Sequence, residues 1–249
     1  MSGFVRASFP VMGTVASLVI APSDHLDTGQ VRSAIDMTRL SLETDDHRFS
    51  HYRDDSDIMK WSAGGSVNSD AVAEIDAVLR QCLLLREESG GAFRVNHPVT
   101  GALDTAGYVK GYAIAKAVAR VRELGVHDFV LNVGGDSFNS GRASAARPWR
   151  VAIAHPTQTH AVAEVVEAEN LAVATSGTSQ RGEHIWRIAR HDLLSFSVIG
   201  PDVVLADAYS TIGFVMGEAG LEWVSAHEGY RCVVIRADGS ILSDAALVS

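Results

Sequence analysis

Asp104-Thr-Ala-Gly107-Tyr-Val-Lys110-Gly111-Tyr-Ala113 opens the stretch that organises this chain, and Asn132-Val-Gly134-Gly135-Asp136 closes it. Between them, 111–124 carries apolar residues at helical spacing, and 129–133 reads as a strand that ends on glycine. One helix-and-strand unit therefore gathers a cation, glycines and a carboxylate. That combination suits a phosphate-bearing ligand, because glycine lets main-chain N–H groups approach phosphate oxygens and lysine adds a point charge. The plainer alternative, glycines that cap a helix beside a solvated lysine, fits the same residues.

Working outward, strand-like runs stand at 11–21, 149–155, 172–174, 194–200 and 231–236, each bounded by Gly, Pro, Asp or Asn. Helical periodicity marks 27–48, 69–89 and 206–216, with a shorter turn at 221–226. The order lacks a regular strand–helix–strand alternation, so the expected class is α+β. The polar stretches 137–148, which includes Arg142 and Arg147, and 156–160 read as loops.

With 249 residues and 47% hydrophobic content the chain can bury a large core, and residues 1–249 are read as one domain. A formal net charge of −9 and the lack of a basic stripe argue against a nucleic-acid groove, while leaving room for one buried phosphate site. Two cysteines, Cys82 and Cys232, are too few for a disulfide framework and suit a reducing compartment. No run of about 18 apolar residues is long enough for a membrane span.

The second half adds Thr175-Ser176-Gly177 and Ala206-Asp207-Ala208-Tyr209-Ser210-Thr211. Asp207 and Thr211 are four apart, so a helix stacks a carboxylate and a hydroxyl on one face. That is a plausible pair of oxygen ligands for Mg²⁺. An Asp favoured by the helix dipole and a packed Thr is the competing reading.

In this order the phrases resemble the ApbE family of FAD:protein FMN transferases. The resemblance runs from Met12-Gly13-Thr14 to Phe214-Val-Met-Gly217. It includes Phe49-Ser50-His51-Tyr52 with Ser56-Asp57, Gly90-Gly91-Ala92-Phe93, Gly107-x-x-Lys110-Gly111-Tyr112-Ala113 and Asn132-x-Gly134-Gly135-Asp136. It continues through Trp149-x-Val151-x-Ile153-x-x-Pro156, Ala174-Thr175-Ser176-Gly177, His184-Ile185 and Ala206-Asp207-x-x-Ser210-Thr211.

The resemblance implies two related βα-rich halves packed as one body with the ligand site between them. It implies Mg²⁺-dependent transfer of FMN from FAD to a Ser or Thr hydroxyl of a target protein, with release of AMP. The metal set it implies is the Gly107 carbonyl, Asp207 and Thr211, with Ser210 either bonding behind them or lying on the helix surface. For FAD it implies Met12, Tyr52, Ala92, Phe93, Asp104, Lys110 and Ile185. Tyr52 fits either ring stacking or core packing, and Asp136 fits a turn organiser better than a chemical group. His184 is the candidate for orienting or deprotonating the acceptor hydroxyl, alongside Asp207 as the other catalytic position. The remaining histidines, His51 among them, read as surface or packing residues.

Three departures qualify the resemblance. The family's Asp-Pro-x-Thr-Gly turn after His-Ile is replaced by Trp186-Arg187-Ile-Ala-Arg190-His191-Asp192, and Arg94 and Ala115 stand where acids are common. An FAD-binding or FAD-hydrolysing protein without productive transfer is therefore the alternative. Many family members are exported lipoproteins, but the N-terminal run carries no signal pattern or lipid-attachment cysteine, and a cytoplasmic location is expected.

Overall fold

The computed structural model describes residues 3–23, 25–97, 100–158, 160–177 and 192–243. The first half begins with a hairpin, β1 (Val5–Val11) and β2 (Thr14–Ile20), followed by the helices α1 (Thr28–Phe49), α2 (Asp57–Ser62), α3 (Ser69–Glu88) and α4 (Ala106–Glu123). A second hairpin follows, β3 (Phe129–Val133) and β4 (Asp136–Ser140). The other half runs β5 (Trp149–Ala154), β6 (Val162–Ala168), β7 (Leu171–Gly177), β8 (Leu193–Gly200), α5 (Val203–Met216), α6 (Ala219–Ser225), β9 (Arg231–Arg236) and β10 (Ile241–Ser243).

Eight strands form one sheet in the order β1-β2-β3-β4-β7-β8-β9-β10, and every pairing in it is antiparallel. Each half thus reads as hairpin, helices, hairpin, and the halves join where β4 pairs with β7. This is the α+β architecture expected from the sequence. The main core lies between the sheet and the helices, while the β5–β6 pair sends Ile153 and Val166 against Val173, Ile199 and Val233 in a second cluster. Strand periodicity explains the division: Ala172 and Ala174 join the main core, and Val173 between them joins the other cluster.

Several element readings are corrected. The strand expected over 11–21 is β2 alone, beginning at Thr14; β1 before it was not expected, and a turn at Met12 and Gly13 with φ of 53° and 68° joins the two. Residues 137–140 are not loop but most of β4, buried at every position. Its Asp-Ser-Phe-Asn-Ser composition hides a central strand because each polar side chain finds at least one partner inside the protein. Asn139 Nδ2 donates to the Leu171 carbonyl (3.0 Å) and Ser140 Oγ to the His127 carbonyl (2.6 Å). The strands β6 and β10 and the helix α2 had no counterpart in the sequence reading.

Both site helices begin earlier than their apolar pattern suggests. Because α4 starts at Ala106, Gly107 and Lys110 lie in helix rather than in a glycine turn. Asp202 caps α5, accepting from the Val204 and Leu205 amides, so Asp207 sits in the second turn and is not the residue that stabilises the helix start. The two helices cross at Gly111, where a Cβ would stand 2.6 Å from the Val203 carbonyl oxygen and 3.0 Å from Asp207 Cβ. Only a glycine permits that approach, which delivers Asp207 to α4. Among the described residues no helix is long and apolar enough to cross a membrane.

Candidate active site

A cavity of about 690 Å³ opens between the two halves. Met12, Gly13 and Thr14 of the first turn contribute to its lining, as do Gly134 of the β3–β4 turn and Thr175, Ser176 and Gly177 of β7. The end of α1 and the following loop add Asp46, Phe49, Ser50, His51, Tyr52 and Arg53; α4 adds Gly107 and Lys110; α5 adds Asp207 and Thr211. Such a volume accommodates a nucleotide-sized ligand. Every described residue expected to bind FAD or metal lines it: Met12, Tyr52, Ala92, Phe93, Asp104, Gly107, Lys110, Asp207 and Thr211. His184 and Ile185 lie outside the described residues.

Charge is concentrated at the back. Lys110 Nζ stands 2.5 Å from Asp136 Oδ2 and 3.6 Å from Asp207 Oδ1, and both carboxylates are almost wholly buried. Asp136 also accepts the Thr175 amide through Oδ1 (2.9 Å), so this one residue ties β4, β7 and α4 together. The expectation that Asp136 mainly organises its own turn is thus corrected: its bonds run to distant elements. Asp207 Oδ2 accepts the Gly111 amide (2.8 Å), the donor that regular helical geometry directs at the Gly107 carbonyl. Burial raises the Asp207 carboxyl pKa strongly, with Lys110 opposing and the neighbouring Asp136 adding to the rise.

These residues fit a hard divalent cation. Among the described residues no group of three or more His, Cys, Asp or Glu side chains is placed to hold a metal, so among them neutral oxygens would complete the set. Thr211 lines the same wall one helical turn beyond Asp207, and a Cβ at Gly107 would stand 3.3 Å from Thr211 Oγ1, which puts that part of α4 against the hydroxyl. A buried carboxylate whose ionisation is opposed by desolvation gains from a cation beside it, and an all-oxygen set suits Mg²⁺. Ser210 is fully buried and bonded, which removes the helix-surface reading.

The front of the cavity is open. Tyr52 is 85% exposed, which excludes core packing and leaves its ring available to stack on a ligand. Asp104 Oδ1 accepts the Ala106 amide, the first of α4 (3.0 Å). Phe93 is buried, its amide held by Ser89 Oγ (2.9 Å) and its ring edge close to Gly107, so it forms wall rather than rim. Arg94, at one of the positions that depart from the family pattern, lines the mouth.

Two contributors escaped the sequence reading besides Asp136. His51 is half-buried and its Nε2 accepts the Thr105 amide (3.1 Å), pinning the Tyr52 loop to the start of α4. A ring nitrogen that accepts an amide proton leaves the neutral ring's own proton on Nδ1. Burial lowers the pKa of this histidine, and Asp104 partly offsets it. Ser176, noted only as part of a phrase, meets both Ser210 Oγ (2.9 Å) and Thr211 Oγ1 (3.2 Å). Nothing in the local sequence of any of the three announces these partners.

A family model described as "ApbE family" matches residues 96–234, more than half of the chain. An FAD:protein FMN transferase of Rhodobacter capsulatus is 34% identical over 168 residues, covering 62% of this chain and 32% of that protein. The chain therefore spans about a third of that relative's length. A flavin transferase ApbE from Vibrio cholerae superimposes with a TM-score of 0.79 at 19% identity over 96% of each chain. The apo form of Pseudomonas stutzeri flavinyl transferase ApbE gives 0.78 at 20% identity over 96% and 95%. At those identities the two structures establish the fold alone.

Proposed function

The chain belongs to the ApbE family, and we propose that it is a flavin transferase, moving FMN from FAD to a Ser or Thr hydroxyl of a target protein and releasing AMP. The observation that carries this reading is the convergence of Lys110, Asp207, Thr211 and Ser176 on one wall of a nucleotide-sized cavity, with Asp136 buried behind Lys110. The activity for which the Rhodobacter capsulatus relative is named supports it. We read residues 1–249 as a single domain with this activity, and cysteine usage supports a reducing compartment.

In the reaction the acceptor oxygen attacks the phosphorus of the FMN half, the phosphoanhydride bond breaks, and AMP leaves with the bridging oxygen. Catalysis of this kind rests on positioning and charge neutralisation. Lys110, held by Asp136, presents its ammonium to the phosphate oxygens from α4. Asp207, Thr211 and the Gly107 carbonyl are the residues that would hold Mg²⁺, which when bound supplies further neutralisation of the pyrophosphate charge. Tyr52 closes on a ligand ring from the open side, and Asp104 offers an oxygen to a ribose or adenine donor. His184 keeps the role the family pattern gives it, next to the acceptor hydroxyl.

The test is incubation with FAD, Mg²⁺ and a family acceptor protein, followed by in-gel flavin fluorescence and separation of nucleotides. Covalent flavin on the acceptor with matching AMP is the expected result. FAD left intact would overturn the reading. The replaced turn after Ile185 favours one specific second reading, FAD hydrolysis with water as acceptor, and FMN with AMP but no labelled acceptor would establish that instead.

A further inference from the structure

The hydroxyls behind the metal-facing wall have only one consistent arrangement of protons. Ser210 Oγ lies 2.8 Å from the Asp207 carbonyl oxygen, which only accepts, so the single Ser210 proton is committed there. The Ser176–Ser210 contact at 2.9 Å therefore takes its proton from Ser176. With that proton spent, the Ser176–Thr211 contact at 3.2 Å takes its proton from Thr211. The chain runs Thr211 to Ser176 to Ser210 to the Asp207 carbonyl, and each bond polarises the next.

We propose that Ser176 and Ser210 are positioning residues that turn the Thr211 hydroxyl proton away from the cavity and present its oxygen lone pairs to a divalent cation. This rests on the reading of Asp207 and Thr211 as metal ligands. A threonine that points its proton at a cation is a poor ligand, and one whose proton is engaged behind it is a prepared one. Ser210 does not line the cavity, so it acts only through this relay. Removing its hydroxyl frees the Ser176 proton to turn toward Thr211 Oγ1, which drives the Thr211 proton toward the cation.

The experiment titrates Mn²⁺ into wild type, Ser176→Ala, Ser210→Ala, the double variant and Asp207→Ala, by calorimetry and by the EPR signal of free Mn²⁺, with no FAD present. Each serine variant should weaken Mn²⁺ on the order of 10-fold, the usual scale for groups that orient metal ligands. The double variant should be no weaker than the weaker single one, since both interrupt one relay. A purely structural role would lower the metal-free melting temperature and leave the Mn²⁺ affinity alone. That pattern, or Ser210→Ala binding Mn²⁺ within twofold of wild type, overturns the proposal. Should Ser210→Ala not fold, Ser176→Ala decides by the same criterion. If wild type binds Mn²⁺ no better than Asp207→Ala, the metal reading itself falls and takes the relay with it.

Discussion

The back wall of the cavity and its rim are built on different physics. At the back, Asp136 and Asp207 are buried and every charge is bonded across elements distant in sequence: Lys110 to Asp136, Asp136 to Thr175, Asp207 to Gly111. At the rim the charged pairs are local, as in Arg53 to Asp55 (3.1 Å), a pair in which both side chains are exposed, and Tyr52 projects into solvent. Phosphoryl transfer needs preorganised charge, which only the first construction provides. Recognition of a ligand ring and a partner surface tolerates the second, because the arriving molecules complete the burial.

The contrast is most sharply tested by Asp207→Ala. FAD cleavage at saturating Mg²⁺ should fall on the order of 10³-fold, the cost of losing one preorganised electrostatic group, while the metal-free melting temperature does not fall. Unchanged turnover, measured as FMN release, would remove Asp207 from the chemistry.

Gly111→Ala strikes the same wall through packing. The added methyl meets backbone at 2.6 Å, so the α4–α5 crossing must open. The expected loss is about 1–3 kcal/mol, read as a fall of roughly 2–4 °C in melting temperature per kcal/mol. A variant as stable as wild type would mean that the helices are not locked there. At the rim, Tyr52→Ala should leave stability unchanged and weaken FAD by about 2–10-fold, the worth of one aromatic contact. Calorimetric titration checks it, and a changed melting temperature with unchanged affinity would place Tyr52 in the framework instead.

The smallest effect concerns the pin between rim and wall. His51 accepts from Thr105 and its pKa is lowered by burial, so the unfolded chain takes up this proton more readily than the folded one. Folding stability therefore falls as pH drops through and below the ordinary value of 6.5. His51→Gln keeps an acceptor and removes the titration. Its melting temperature should vary less with pH between about 5 and 7 than that of wild type, and parallel profiles would show that His51 is not the group responsible.

Much of the wall was legible in the sequence because its chemistry depends on residue type and helical spacing. Asp207 and Thr211 four apart on an apolar helix, and Lys110 between glycines, announce themselves. What stayed hidden depends on tertiary bonds. Asp136 meets Lys110, 26 positions away in numbering, and Thr175, 39 away, and β4 lacks apolar alternation because its polar side chains find partners inside the protein. His51 looked like any of ten histidines until the fold brought Thr105 to it. The starts of α4 and α5 were misplaced because the apolar pattern begins later than the helices do. Thr105 makes no side-chain cap bond, and the cap of α5 is Asp202, ahead of the motif.

The most direct measurement is incubation of the chain with FAD and Mg²⁺ alone, with chromatographic separation of FMN and AMP and with Asp207→Ala and a chelator as controls. A prepared phosphoryl-transfer wall predicts FMN and AMP in equal amounts, slow with water as acceptor, dependent on the metal and absent from the variant. FAD that binds but stays intact with Mg²⁺ present, or that is cleaved equally by Asp207→Ala, would contradict the assignment of this wall to the cleavage of FAD.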